Sequence, residues 1–182
     1  MNGDAYDFFS VIGIKRLLII TGIILLAAML ATKLFVISLL VILSFAISFL
    51  IGKFQLRILG IELVTFLTII GGYVYGPTVG IILGLVLITF HLVISGYFGV
   101  YYAWVIPGYG AAGYLAALWS SQPIGMLGMT ILIILVAVNI LLTLIFTRQE
   151  IGSYIPYTIM QILFNAFMFF VIGPTVVGIL QG

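Results

Sequence analysis

Ionisable side chains are rare in this chain, so the few that interrupt its apolar stretches are the first candidates for chemistry. Glu62 lies in the stretch Gly60-Ile61-Glu62-Leu63, five residues after Arg57. An ionised carboxylate at the centre of a bilayer costs about 2.5–3.5 kcal/mol on insertion scales, so it normally faces protein or water. Two explanations stay open: an interfacial ion pair between Glu62 and Arg57, or a charged mouth that holds a polar group of a solute.

Four polar side chains within the apolar stretches are further candidates. His91 is the only histidine, and a lone histidine is a weak metal ligand, so it is either a buried hydrogen-bonded side chain or a ligand-binding residue. Gln161 and Asn165 are four residues apart and therefore share one face of a helix. Together with Asn139 they either bond across helices or bind a ligand.

Aromatic residues cluster between the fourth and fifth predicted helices, in the stretch 95–104. One explanation is structural: these residues form part of the aromatic belt found at membrane interfaces. Their functional explanation is stacking against a solute, with charge complementarity from Arg148. The substrate-binding residues that we predict from the sequence are Arg57, Glu62, His91, Tyr97, Tyr101, Tyr102, Trp104, Arg148 and Asn165.

The residues needed for common enzyme chemistries are missing from the sequence. Asp4 and Asp7 are the only aspartates, and neither a His-Glu-x-x-His motif nor a phosphate-binding Walker loop is present. The serines have no recognisable nucleophile context, and a single histidine leaves little choice of general base. Cysteine is absent, which excludes disulfides and thiolate chemistry. We therefore predict that the protein is not an enzyme and needs no metal or cofactor.

Composition identifies lipid as the solvent of most of the surface. Of the 182 residues, 65% are hydrophobic and only 5% are charged, whereas soluble domains have about 25% charged residues. The mean hydropathy is +1.46. A net charge of +2 and scattered basic residues give no sign of nucleic-acid binding. The sequence predicts an all-α integral membrane protein, a single transmembrane helical domain over residues 1–182, located in the cell membrane as a multi-pass protein.

Charges and Gly/Pro clusters divide the chain into helices that could each cross a bilayer. A spanning helix needs about 20 apolar residues. The first two predicted helices are separated only by Lys33, so they form either one bent element or a tight hairpin. The run Leu17–Leu26 has no clear cleavage site and is predicted to be a retained span. Six or seven spans are predicted, with seven preferred: 14–32, 34–51, 58–74, 77–95, 101–119, 124–147 and 154–180.

With seven spans, nearly all polar and charged groups gather on one side of the membrane. The loops 52–57, 95–102 and 147–153 lie on that side, together with the N-terminal tail. This side has five basic residues near the span ends and the other has Lys33 alone, so the positive-inside rule predicts that the five are cytoplasmic. A one-sided polar mouth over an apolar bundle suits a small-solute binder, but also a bundle without a solute.

Small residues recur at helical spacing in three places. Gly76, Gly80 and Gly84 form one stripe on a helix that starts near Pro77, a residue suited to the first helical turn. Close packing through such residues drives helix association in lipid. Internal packing explains the stripe, and a docking surface for another membrane subunit is the alternative. The alternative is more attractive for Ala27 and Ala31, while a third pair of small residues lies at 113 and 117.

The stretch Ile61-Glu62-Leu63 through Gly76-Pro77-Thr78-Val79-Gly80-Ile81-Ile82-Leu83-Gly84 resembles the substrate-binding membrane subunits (S components) of energy-coupling factor transporters. The aromatic loop after the next helix and Asn165 before Gly173-Pro174 are also similar. Ala27 and Ala31 resemble the alanine pair by which such subunits dock the coupling subunit. Such subunits usually have six spans, a cytoplasmic Gly-Pro turn and an external mouth, so the resemblance and the charge count predict opposite orientations.

The resemblance implies a membrane-embedded solute-binding subunit of a vitamin or metabolite uptake transporter. Its partners would be a small-molecule substrate, the lipid bilayer, a transmembrane coupling subunit and ATPases, with no nucleic acid. The competing hypothesis is a structural or scaffold membrane protein, such as a cell-shape or assembly factor, without a transported solute. A self-contained secondary transporter or channel is a third class, for which an internal inverted repeat would be expected.

Overall fold

The computed structural model describes residues 3–56, 59–96 and 99–182, with side chains at 19–23 and from Thr32 onward except Glu150 and Ser153. The described backbone is entirely helical between its turns, which confirms the all-α class. Seven α-helices are described: α1 Gly3–Phe54, α2 Val64–Tyr75, α3 Pro77–Ile94, α4 Tyr102–Leu118, α5 Ile124–Phe146, α6 Ile151–Phe167 and α7 Gly173–Gln181. A 3₁₀ turn, Arg148–Glu150, precedes α6, and a π-helical turn, Met168–Ile172, joins α6 to α7.

The chain divides into two compact units, Met1–Ser38 and Leu39–Gly182. The first two predicted helices, 14–32 and 34–51, both fall within the single helix α1. Lys33 alone is therefore not enough to end a helix among apolar residues with good helix propensity. In the first unit, Ile19, Ile20 and Ile23 are exposed, as expected for side chains that face lipid rather than a protein core.

Four helical segments of the described residues are long and apolar enough to cross a membrane: Thr32–Phe54, Pro77–Ile94, Ile124–Phe146 and Tyr154–Gln181. This indicates a multi-pass membrane protein. Helix α2 has 12 residues and α4 has 17, so both are shorter than the usual span. The predicted spans at 58–74 and 101–119 are thus longer than the helices found there.

Helix α2 begins at Val64, six residues later than the predicted span. The backbone cannot continue as a helix before that point because Gly60 has a φ of 57°, in the left-handed region. Residues 61–63 then lead into the helix, and the Glu62 carboxylate accepts a hydrogen bond from the Thr65 N–H in its first turn. That acceptor satisfies one of the free N–H groups of a helix start.

Helices α2, α3 and α4 approach one another through glycine. A methyl group added at Gly113 of α4 would lie 2.8 Å from the Gly80 Cα of α3 and closer still to the Gly80 carbonyl. One added at Gly84 would lie 2.8 Å from the Tyr109 carbonyl carbon of α4. Such contacts between main chains leave no room for side chains and maximise van der Waals contact in lipid.

The last apolar segment is helical throughout but changes its winding. Pro174 lacks an N–H and cannot bond to the carbonyl four residues back, and the π turn Met168–Ile172 lies just before it. This turn brings Phe169, which is completely buried, against Phe66 of α2, with ring centroids 5.4 Å apart. On α5, Gly128 leaves the space that the Phe169 ring occupies.

Candidate functional site

The segment that carries Glu62 lies directly on the backbone of α6. A methyl group added at Gly60 would lie 2.8 Å from the Tyr157 carbonyl oxygen and 2.8 Å from the Met160 carbonyl carbon. Only glycine allows both this contact and the positive φ of residue 60. The close approach places the next residues of the segment beside the polar face of α6.

The Glu62 carboxylate is buried, with 2% of the residue exposed, and it accepts four hydrogen bonds. The Thr65 N–H donates to Oε2 at 2.8 Å, and the Thr65 hydroxyl donates to Oε1 at 2.5 Å. From α6, Gln161 Nε2 donates to Oε1 at 3.3 Å and Asn165 Nδ2 at 3.4 Å. Three of these four donors therefore meet Oε1 and one meets Oε2.

Tyr109 of α4 extends this arrangement, and its own donor role follows from that of Thr65. The Thr65 hydroxyl has one proton, which it donates to Glu62. The Tyr109 hydroxyl, 2.9 Å from Thr65 Oγ1, must therefore donate to it. Gln161 Nε2 is 3.5 Å from the Tyr109 oxygen and can donate there as well. We call Glu62, Thr65, Tyr109, Gln161 and Asn165 the polar centre.

Every hydrogen bond that the structure gives to the Glu62 carboxylate comes from a neutral group. The charge is stabilised by these donors and by the N-terminal end of α2, where the helix dipole is positive. A second polar atom of the centre, the Asn165 Oδ1, is buried and has no hydrogen-bond partner. Among the described residues, the centre therefore has a net negative charge and an unused acceptor.

The polar centre lies well inside the bundle rather than at its rim. Gln161 and Asn165 follow Tyr154, the first residue of the last apolar segment, by 7 and 11 positions. At 1.5 Å per residue, these positions are about 10 and 16 Å along the helix. The sequence predicted Glu62 inside the start of a span, 58–74; the structure places it two residues before α2, buried against α6.

A cavity of about 30 Å³ lies beside the polar centre. Tyr109 and Gln161 of the polar centre line it, together with Trp104, Asn139 and Tyr154. Roughly 10–15 Å³ of such volume holds one water molecule, so the cavity has room for about two. Pockets for drug-sized ligands have about 300–1,000 Å³. The cavity therefore fits one end group of a metabolite and not a whole vitamin.

The other polar residues that line the cavity are held by their own hydrogen bonds. Trp104 Nε1 donates to Asn139 Oδ1 at 2.7 Å, and the Trp104 ring stacks on Phe146 with centroids 5.7 Å apart. Asn139 is also a hydrogen-bond partner of Tyr154. These contacts join α4, α5 and α6 and fix the side chains that line the cavity together with Tyr109 and Gln161.

His91 makes a polar contact between α1 and α3 and lies within electrostatic range of Glu62. Ser48 Oγ donates to the Ser44 carbonyl at 2.8 Å and lies 2.9 Å from His91 Nδ1. Because the Ser48 hydroxyl has only one proton, which it donates to Ser44, His91 Nδ1 donates to Ser48 Oγ. The geometry matches the buried, hydrogen-bonded histidine that was one of the two predictions.

The predicted substrate-binding residues lie in several places. Glu62 and Asn165 meet in the polar centre, and Trp104 lines the cavity beside it. Tyr101 and Tyr102 are at the start of α4, with ring centroids 5.3 Å apart and edge to face. Arg148 is exposed in the 3₁₀ turn. Two predicted residues lie outside the described ones: Arg57 and Tyr97.

The residues predicted for helix packing and partner docking differ in the contacts they make. Gly80 and Gly84 lie against the α2 and α4 backbones. Gly76 lies before α3 with a φ of 91°, and a methyl group there would meet nothing within 4 Å. Its role is to turn the chain, because L side chains rarely adopt that φ. The side chains of Ala27 and Ala31 lie outside the described set.

Three residues of the site were not among the predicted site residues: Thr65, Tyr109 and Gln161. Thr65 follows Glu62 by three positions, a spacing at which side chain and backbone can bond at a helix start. Gln161 was noted for its spacing to Asn165 but was not assigned to the solute. Tyr109 has no signal in the sequence, because its partners come from other helices.

Comparison of the chain with models of known protein families, with curated protein sequences and with solved structures gives no significant match.

Proposed function

We propose that this protein is a membrane-embedded solute-binding subunit of an uptake transporter, working with a coupling subunit and ATPases. The observation that carries the proposal is the polar centre, a buried carboxylate with neutral partners next to a cavity. Ionisable groups inside membrane proteins are costly and commonly mark substrate or ion pathways. The resemblance of residues 61–84 to S components is a second, independent support.

The proposal includes six membrane crossings, because the continuous helix α1 can cross only once. Helices α2 and α4 complete the bundle despite their short lengths. A short helix with an irregular segment before it is tolerated in a bilayer where that segment is buried in protein or lines a cavity. Residues 59–63 fit this condition, since Gly60 lies on the α6 backbone and Glu62 faces polar side chains. The mouth of the binding site would be at the ends of α4 and α6 nearest this segment.

A direct test is native mass spectrometry of the protein purified in mild detergent, followed by thermal stabilisation with a panel of metabolites. We expect a retained or stabilising metabolite whose binding is weakened by Glu62→Gln. Glu150→Gln, at the other glutamate of the chain, is the matched control and should bind normally. A protein with no retained compound and no response to any metabolite would contradict the proposal.

Docking to a coupling subunit is a separate part of the proposal. The alanines at 27 and 31 are the expected contact, because small residues allow helices to approach closely. Ala27→Leu together with Ala31→Leu should abolish copurification with the coupling subunit while leaving metabolite binding intact. Retained copurification would place the docking surface elsewhere.

The small size of the cavity favours a second candidate function, that of a structural or scaffold membrane protein. A cavity of about 30 Å³ and main-chain contacts at Gly80 and Gly113 describe a tightly packed bundle. This alternative predicts stable copurification of cell-shape or assembly proteins without a bound metabolite. The side of the membrane on which the loop near residue 55 lies also separates the two candidate functions. If a cysteine introduced there is labelled from outside by an impermeant reagent, the result favours solute capture.

A further inference from the structure

We infer that the cavity beside the polar centre binds a small ammonium group, so that the transported solute is a cation with an ammonium or methylammonium end. The inference deepens the proposed function by naming the chemical class of the solute, and it rests on that function. It is argued from the charge, the walls and the size of the cavity.

The charge of the polar centre favours a cation in the cavity. Gln161 and Tyr109 line the cavity and both belong to the hydrogen-bonded polar centre of Glu62. The carboxylate receives only neutral donors in the structure, so its charge is spread but not cancelled. A negative group in a medium of low dielectric constant attracts a nearby cation strongly and repels an anion. The position next to this centre therefore disfavours a carboxylate or phosphate.

The walls come second. The cavity is lined by three aromatic side chains, Trp104, Tyr109 and Tyr154, and by two carboxamides, Asn139 and Gln161, together with apolar residues. Among the residues that the structure describes, no lysine or arginine lines it. Aromatic side chains with neutral oxygen acceptors are the surroundings in which proteins bind ammonium groups.

The size comes third. About 30 Å³ is room for about two water molecules, which an ammonium or methylammonium group can replace. A quaternary trimethylammonium group is larger and is expected to fit poorly. The cavity is therefore expected to bind a group that is both positively charged and small.

The test uses the full-length protein and methylammonium chloride as the probe, with Trp104 as the reporter. Trp119→Phe leaves Trp104 as the only tryptophan, because the chain has two. We expect a saturable change in Trp104 fluorescence with methylammonium, and none with sodium chloride at equal ionic strength or with sodium acetate. Tetramethylammonium should give a weaker response. Equal responses to sodium chloride or acetate would overturn the inference.

Two variants test the charge and the space separately. Glu62→Gln should weaken methylammonium binding about tenfold or more, because the carboxylate behind Gln161 and Tyr109 would no longer attract a cation in the cavity. Gly108→Ala adds a methyl group that meets only Leu135 Cδ2, at 3.5 Å, and both residues line the cavity. It should therefore fold normally and still weaken binding. Gly178→Ala in α7, where a methyl meets nothing within 4 Å, is its control.

The outcomes separate this inference from the proposed function. A retained metabolite that is anionic or neutral, and whose binding is weakened by Glu62→Gln, would overturn the inference and leave the proposed function standing. Methylammonium binding that depends on Glu62, without any metabolite that binds or is transported, would support the cation site and contradict the proposed function. If Glu62→Gln fails to fold, methylammonium binding by Gly108→Ala is compared with that by Gly178→Ala. Equal binding by these two variants would overturn the inference.

Discussion

Helix α2 takes part in two very different interfaces. Its C-terminal half meets α3 and α4 through main-chain contacts at glycine, without polar side chains between them. Its N-terminal turn meets α4 and α6 through a buried carboxylate and four neutral donors. The first interface needs only space and is satisfied by apolar packing. The second keeps a costly charge inside the bundle, which points to a function rather than to stability.

The largest effect is expected where main chains touch. Gly113→Ala would place a methyl group 2.8 Å from the Gly80 Cα and closer to its carbonyl, so α3 and α4 would have to separate. Overpacking of a rigid contact costs about 3 kcal/mol. We expect a large loss of folded protein in fluorescence-detected size exclusion and a lower melting temperature, with Gly178→Ala unchanged. An unchanged melting temperature would show that the glycine interface yields easily.

Removal of the carboxylate is expected to be the next most severe change. Glu62→Ala leaves the Thr65 and Gln161 donors without their acceptor in a buried place, which costs about 2–3 kcal/mol. Glu62→Gln keeps the shape and should cost less stability while still losing cation binding. The measurement is thermal unfolding of both variants in the same detergent, with binding assayed alongside. Equal stability of Glu62→Ala and the natural protein would contradict the claim that the Glu62 carboxylate is buried and hydrogen-bonded.

A smaller effect is expected at the cavity wall. Trp104→Phe removes the donor to Asn139 Oδ1 but keeps an aromatic ring against Phe146. The loss of one hydrogen bond costs about 1 kcal/mol, seen as a modest drop in melting temperature. Asn139→Leu removes the acceptor, so the double variant should be less destabilised than the sum of the singles. Strict additivity would argue against a direct interaction between the two side chains.

The smallest effect is expected at the contact between α1 and α3. Ser48→Ala removes the acceptor of the His91 Nδ1–H and should cost about 0.5–1.5 kcal/mol. Metabolite or methylammonium binding should be unaffected, because neither residue lines the cavity. Impaired binding in Ser48→Ala would extend the functional region to this contact.

The sequence predicted the glycine interface better than the polar centre. Gly80 and Gly84 share a helical face by spacing alone, so their close approach to a neighbour follows from residues four apart. Glu62 and Asn165 are 103 positions apart, and their contact depends on the left-handed Gly60 that ends the helical path before α2. Such a break has no periodic signal, so the sequence predicted a longer helix with Glu62 inside it. The i, i+4 pair on α6 was the one local sign of the site.

The late start of α2 also has an electrical consequence. Glu62 bonds to α6 side chains about 10–16 Å beyond the beginning of the last apolar segment, roughly a third to a half of the hydrocarbon thickness. Moving one charge through the whole membrane potential is worth about 2.3 kcal/mol per 100 mV. In the proposed cation site, an ion that binds at that depth would cross part of that voltage, and its occupancy of the protein would vary with the membrane potential.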